Sequence, residues 1–186
     1  DTVGDPTEVA LLIAAEKLKI RREELLKSMP EIREESFDPA TKAMATFHTQ
    51  DSSVLVAAKG APESILQYCS TVRSAEGDID LTDELRRAWH LRSGELGDEG
   101  LRTLAVAMKT TENQNEAPYT KLVLLGIAGI LDPPRLGVRE ALAACRDAGI
   151  VVVMVTGDHV ATARNIAVKL GLIEQNAPES LIIDSR

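Results

Sequence analysis

The sequence predicts an α+β fold, with an antiparallel sheet flanked by helices over residues 1–131 and an incomplete α/β segment over residues 132–186. Three observations carry that expectation. Short strand-like stretches at 32–37, 43–49 and 54–58 are separated by Asp38-Pro39 and Asp51-Ser52-Ser53, turn signals that favour antiparallel hairpins. The two prolines of Asp132-Pro133-Pro134-Arg135 cannot continue a strand ladder and mark a stiff joint. Beyond the joint, the run 150–155 is apolar without alternation and lies between helical stretches at 138–148 and 160–170. That is the pattern of a parallel strand buried on both faces.

The elements follow in order. Asp5-Pro6-Thr7-Glu8 starts a helix: Asp5 caps, Pro6 suits the first helical position, and Glu8 can reach back as in a capping box. Val9, Leu12 and Ile13 then predict one apolar face through about Leu18. A charged helical stretch over 21–29 ends at Pro30, and the three strands come next. Pro62 opens a helix to about Tyr68, and residues 74–80 read as a polar, turn-rich connection. Thr82 caps a helix over 81–96 with Leu85, Ala88 and Trp89 on one face. Residues 101–108 read as a strand, 110–118 as a polar loop, and 122–131 as a buried strand.

Composition narrows the partners. The 186 residues suffice for one domain, or for one domain and a piece of another. A hydrophobic fraction of 44% and a charged fraction of 27% are those of a soluble globular protein. With 21 basic against 29 acidic residues the formal charge is −8, and no basic stripe speaks for nucleic acid. A phosphate site must then be local, made by backbone amides and a few placed Lys or Arg.

The longest uncharged apolar run, 122–131, is broken by Gly126 and Gly129. It falls short of the ~20 residues of a membrane helix, so no direct membrane insertion by this segment is expected. Cys69 and Cys145 lack partners at metal or redox spacing and read as small core or boundary residues. His48, His90 and His159 suggest no metal cluster. The opening at Asp1 carries no basic and apolar leader and reads as the start of an excised piece of a cytosolic chain.

Three local features can carry chemistry, and each has a plain structural alternative. Thr156-Gly157-Asp158 follows the apolar run and precedes a helix. Ligands of parallel α/β folds bind at such strand ends, and a helix amino terminus favours an anion. Thr156 can donate to a phosphate and Asp158 can orient a water or a magnesium ion; the same tripeptide also makes a tight turn with Asp158 as a cap. In Lys59-Gly60-Ala61-Pro62-Glu63 the lysine leaves a strand end and Gly60 permits a ligand to approach the main chain. An ordinary strand-to-helix turn with a surface lysine fits equally. Phe37, one of few aromatic residues, sits among Glu34, Glu35, Ser36 and Asp38. A flat ring on a polar turn stacks on a base; alternatively the ring is the inward residue of a strand end. Lys42, five positions on, would then meet ligand phosphates. Glu8 also serves the capping box, and Arg102 also fits a solvated charge at a strand start.

In this order, Gly4-Asp5-Pro6-Thr7-Glu8, Phe37 through Lys42 with Met44, Lys59-Gly60-Ala61-Pro62-Glu63, Leu101-Arg102-Thr103-Leu104-Ala105, Asp132-Pro133-Pro134-Arg135 and Thr156-Gly157-Asp158 resemble the cytoplasmic region of P-type cation-transporting ATPases, nearest the calcium-pump-like subgroup. The resemblance implies a nucleotide-binding domain before Asp132 and the beginning of a haloacid-dehalogenase-like phosphorylation domain after it. It implies ATP or ADP as ligand, with Mg2+ in the full-length enzyme. By that resemblance Phe37 stacks on adenine, Lys59 and Gly60 line the pocket, and Glu8 contacts the purine edge. Lys42 and Arg102 lie toward the phosphates, while Thr156, Gly157 and Asp158 face the transferred phosphate and its magnesium. Arg135 sits at the hinge with no assigned ligand. The implied partners are the remaining phosphorylation, actuator and transmembrane domains of the same polypeptide, at the cytoplasmic face of the membrane. The lack of long insertions suits a bacterial protein.

Two departures matter. Pro39 stands where calcium pumps usually carry a basic residue, two positions after the stacking Phe. Neither the nucleophile motif Asp-Lys-Thr-Gly-Thr nor the Gly-Asp-Gly segment occurs among these residues. Phosphoryl transfer needs an in-line nucleophile and metal neutralisation. The chain is therefore expected to bind ATP without turning it over, with no catalytic residue and no metal ligand of its own, Thr156 and Asp158 being in supporting roles. A free-standing adaptor or regulatory domain of the same fold is the alternative, favoured by Pro39 and the negative charge. A small dehalogenase-like phosphatase needs a nucleophilic Asp after an apolar strand, whereas Asp1 and Asp5 precede a helix.

Overall fold

The computed structural model describes residues 5–131, 134–156 and 160–183. The chain divides into two compact units, Asp1–Ser93 with Thr103–Ile130, and Gly94–Arg102 with Leu131–Arg186.

Helix α1 (Pro6–Lys17) begins as the sequence predicts: the Asp5 carboxylate accepts from the Thr7 N–H at 2.8 Å, and Pro6 occupies the first turn. Its expected apolar face is not buried. Leu12 and Ile13 are exposed, and α1 buries none of its residues. Helix α2 (Arg22–Ser28) buries none either. Strands β1 (Glu31–Asp38), β2 (Ala43–Gln50) and β3 (Ser53–Gly60) form the predicted antiparallel hairpins, joined by the two turns that the Asp-containing breakers mark. Helix α3 (Pro62–Tyr68) follows, opened by Pro62.

Residues 74–80 differ from expectation. They complete a hairpin of β4 (Cys69–Ser74) and β5 (Gly77–Asp80), with Thr71 opposite Asp80 and Ser74 opposite Gly77. All four residues of β5 are exposed, so the brief alternation of Asp78, Ile79 and Asp80 marks no buried face and is too short to identify a strand. Helix α4 (Asp83–Asp98) is capped as predicted, the Thr82 hydroxyl accepting from the Leu85 N–H at 3.3 Å. Strands β6 (Arg102–Thr111) and β7 (Leu122–Ile130) complete a seven-stranded sheet in the order β1-β2-β3-β6-β7-β4-β5. The sheet is mostly antiparallel, but β4 runs parallel to β7.

Alternation along β2 and β3 assigns the two faces of this sheet. Ala43, Ala45 and Phe47 on β2 and Val54, Val56 and Ala58 on β3 are buried, as are Ala105 and Ala107 on β6 and Leu122 and Leu124 on β7. Ile65 and Leu66 of α3 close this core, with Leu85 and Trp89 of α4 packed against it. Each fully buried side chain the size of Phe47 or Leu122 contributes roughly 1.5–3 kcal/mol, so this face supplies most of the sheet's stability. The opposite face carries Met44, Thr46 and His48 of β2 and Leu55, Ala57 and Lys59 of β3 beneath α1 and α2.

In the second unit, helices α5 (Val138–Asp147) and α6 (Val160–Leu170) pack together, followed by a short 3-10 turn, Glu179–Leu181. The Arg164 guanidinium donates to the Ala177 carbonyl at 2.7 Å, and Asn165 donates to the Asp98 carbonyl at 2.5 Å. The buried strand expected at 150–155 does not form. These residues join no ladder, and Val151 and Val155 are 87% and 92% exposed. Burial on both faces requires a paired strand on either side, and none of the described residues of this unit pairs with the segment.

Candidate functional site

Lys59, next to the last residue of β3, lies in register with Met44 of β2 on the α1 side of the sheet. Its ammonium pairs with the Glu8 carboxylate in the first turn of α1. Glu8 thus fastens α1 to the sheet. Around this pair opens a cavity of about 450 Å³, with Met44, Thr46, Leu55 and Ala57 among the sheet residues that line it and Leu11 and Leu25 among those from the helices. His48 closes one part of the wall through Nε2, 2.8 Å from the Thr46 hydroxyl, and Nδ1, 3.3 Å from the Met29 carbonyl. A mostly apolar hollow with a few placed polar groups is the usual form of a small-molecule site. The roles of Thr46 and His48 escaped sequence reading, although their even spacing with Met44 on a strand was the available signal.

Phe37 is 58% exposed, which removes the reading of an inward strand-end ring. It lies where the β1–β2 register is irregular, between Glu35 and Asp38. The chain then reverses over residues 39–42. The Asp38 side chain accepts from the Ala40 N–H at 2.9 Å, and its carbonyl accepts from the Lys42 N–H at 2.7 Å. A proline directly after Asp suits such a turn because its φ is already set. Pro39 therefore has a structural role here, and the turn is flanked by Phe37 on one side and Lys42 on the other.

Lys42 adopts a positive φ of 51°, and its carbonyl accepts from the Ala61 N–H at 2.9 Å. Its ammonium lies 3.0 Å from the Glu63 carboxylate. Gly60 is what permits this approach: a Cβ there would run into the Lys42 carbonyl oxygen and lie 2.8 Å from the Ala43 Cα. The close approach expected between Gly60 and a ligand is occupied by the protein's own backbone. Burial pushes the Glu63 carboxyl up, but its own N–H, the Lys42 ammonium and the charge of His90 outweigh it and leave the pKa below the usual value.

On the other face, Lys109 is only 6% exposed. Its ammonium donates to the Glu116 carboxylate at 2.8 Å, the Ala117 carbonyl at 2.7 Å and Thr120 at 3.0 Å, folding the 112–120 loop onto β6. The Arg33 guanidinium stacks 4.3 Å over the Phe47 ring and pairs with Glu35, buttressing β1. Neither arrangement has a signature in spacing along the chain.

The structure thus joins Glu8 with Lys59 and Lys42 with Glu63. Arg102 is exposed at the start of β6, and Thr156 is exposed after the apolar run. Gly157 and Asp158 lie outside the described residues, as do Gly4, Asp132 and Pro133. Among the described residues no helix is long and apolar enough to cross a membrane, and no three His, Cys, Asp or Glu side chains converge as a metal site.

A mostly antiparallel open sheet carrying helices on both faces, with an acid–lysine pair beside a cavity, defines an α+β domain. Residues 1–137 match the family described as P-type ATPase, cytoplasmic domain N, and the chain belongs to that family. It is 39% identical over 183 residues to the probable cation-transporting ATPase F of Mycobacterium tuberculosis, covering 95% of this chain and 20% of that protein. Identity to calcium-transporting ATPase 1 of Bacillus cereus is 36% over 175 residues, covering 92% and 20%. For the sodium/potassium-transporting ATPase subunit alpha-B of Artemia franciscana it is 36% over 191 residues, covering 94% and 19%. The chain therefore spans about a fifth of the length of these relatives.

Proposed function

We propose that the sheet unit binds ATP and presents its terminal phosphate to an aspartate outside these residues, in an enzyme that couples phosphoryl transfer to cation transport. The observation that carries this reading is the Glu8–Lys59 pair over the 450 Å³ cavity. A carboxylate acceptor beside an ammonium donor matches the polar edge of a purine, and the apolar floor matches its faces. Exposed Phe37 offers a ring for stacking, Lys42 offers a cation for phosphate, and Gly60 shapes the turn that holds both lysines. The roles of Arg102, Thr156, Gly157 and Asp158 at the phosphate end rest on motif order alone.

Mg2+ bound with the triphosphate would supply charge neutralisation, and Asp158 is the residue that motif order places near it. Motif order and the double proline support a nucleotide-binding domain over 1–131 and part of a haloacid-dehalogenase-like phosphorylation domain over 132–186. The calcium-transporting relative supports a calcium-pump-like, bacterial setting at the cytoplasmic face of a membrane. The 186-residue chain binds without hydrolysis, because the motif bearing the nucleophile is not among its residues.

Titration of the labelled chain with ATP and with ADP tests the reading. Amide signals of Glu8, Phe37 and Lys59 should move in a saturable way. Signals that stay in place at millimolar nucleotide would overturn it.

A further inference from the structure

The Lys42–Glu63 pair has a property that the nucleotide reading does not use. Lys42 offers a cation to the phosphates, yet its ammonium already lies against a carboxylate 3.0 Å away. We propose that Glu63 is an internal stand-in for phosphate, a specificity residue that competes with the polyphosphate for Lys42 and so sets how strongly the site favours charged nucleotides over the bare nucleoside. This rests on the nucleotide reading of the same site.

The backbone brings the two partners together. Lys42 and the segment bearing Glu63 are tied through the backbone, since the Lys42 carbonyl accepts from the Ala61 N–H at 2.9 Å. Gly60 lets the two strands close at that point. Glu63 itself lies in the first turn of α3, where the unpaired helix amides favour a negative charge. Both partners start close together, so less side-chain freedom is lost in forming the pair than for two unrelated surface residues. Both side chains are also about half exposed, 56% for Lys42 and 54% for Glu63, so an incoming anion can reach the ammonium. A phosphate that takes Lys42 meets an ammonium whose charge Glu63 already offsets, and it gains less than it would from a free lysine. The depressed carboxyl pKa of Glu63 agrees with an ionised competitor at neutral pH.

The balance is modest because exposed pairs are worth little, which is suitable for a site that must also release its product. Removing the competitor should tighten nucleotide binding by roughly two- to fivefold.

The test is a set of calorimetric titrations of the 186-residue chain with adenosine, ADP and ATP at constant ionic strength, using the wild type, Glu63→Gln, Lys42→Gln and the double variant. Glu63→Gln should tighten ADP and ATP and leave adenosine unchanged. That gain should vanish in the Lys42→Gln background, because competition needs the lysine. A gain that persists without Lys42 would mean general repulsion between Glu63 and phosphate, and would overturn the proposal. Unchanged ADP and ATP affinities in Glu63→Gln would overturn it as well. Failure of the wild type to bind any of the three ligands would instead reject the nucleotide reading itself. Far-ultraviolet circular dichroism separates a folding defect from a binding effect, and Glu63→Asp, which keeps the charge, should bind as the wild type does.

Discussion

The Lys42 carbonyl oxygen lies within clash distance of where the Cβ of residue 60 would be, so Gly60 is the only residue type that fits opposite Ala43 without moving β2. One backbone contact therefore positions both lysines, Lys42 next to β2 and Lys59 next to Gly60 on β3.

Substituting Gly60→Ala should force these strands apart. The expected destabilisation is about 1–3 kcal/mol, the usual range for overpacking a closed site, read as a lower urea midpoint with unchanged slope. Nucleotide affinity should fall in the same variant.

Phe37→Ala should behave in the opposite way. The ring is exposed, so stability should change by less than about 0.5 kcal/mol. Loss of base stacking should weaken ATP binding by about 1–3 kcal/mol, roughly five- to 150-fold in Kd. Calorimetry and thermal melting on the same sample separate the two effects.

Lys109→Met should cost about 1.5–3 kcal/mol, the range for hydrogen bonds to a charged group, because the Ala117 and Thr120 acceptors lose their donor. Limited proteolysis should then cut within 112–120, where the wild type resists. A variant as stable and as resistant as the wild type would remove the loop-fastening role of this lysine.

Burial pushes the Cys69 thiol up to about 12, against a smaller opposing effect of Arg86, whereas Cys145 is only half-buried. At neutral pH the Cys69 thiol stays protonated and sheltered. Iodoacetamide should modify Cys145 first, and Cys69 only after denaturant is added, as mass spectrometry of the digested protein would read.

Glu63 gives a pH dependence with a definite sign. Its folded pKa lies below the usual 4.5, so its contribution to stability is fully present above that value. It is lost as pH falls through the lower folded pKa. Glu63→Gln should flatten the acid limb of a stability–pH curve and lower stability at neutral pH by the same small amount.

Local chemistry made much of this fold legible. Asp5-Pro6 and Ala61-Pro62 start helices because caps and prolines act within one turn, and the Asp38-Pro39 and Asp51-Ser52-Ser53 breakers act over a few residues. What escaped depends on distant partners. Strand β5 is exposed throughout and is recognisable only by its pairing with β4. Conversely, 150–155 has the composition of a central strand and no ladder, because composition supplies apolar surface but not a neighbour. In the site, Phe37 and Lys42 stood out as residue types, while the Lys42–Glu63 and Glu8–Lys59 pairs span 21 and 51 positions and had no local trace.

The cover over the cavity is fastened at few points. Helices α1 and α2 bury no residue, and the Glu8–Lys59 ion pair ties α1 to the sheet. Opening such a segment costs a small fraction of global stability. A ligand that bridges the helix and the strands supplies contacts that the empty protein lacks, so occupancy is converted into stiffness at one corner of the sheet. Whether the pocket is full is then expressed in how firmly that corner holds, with no change of fold required.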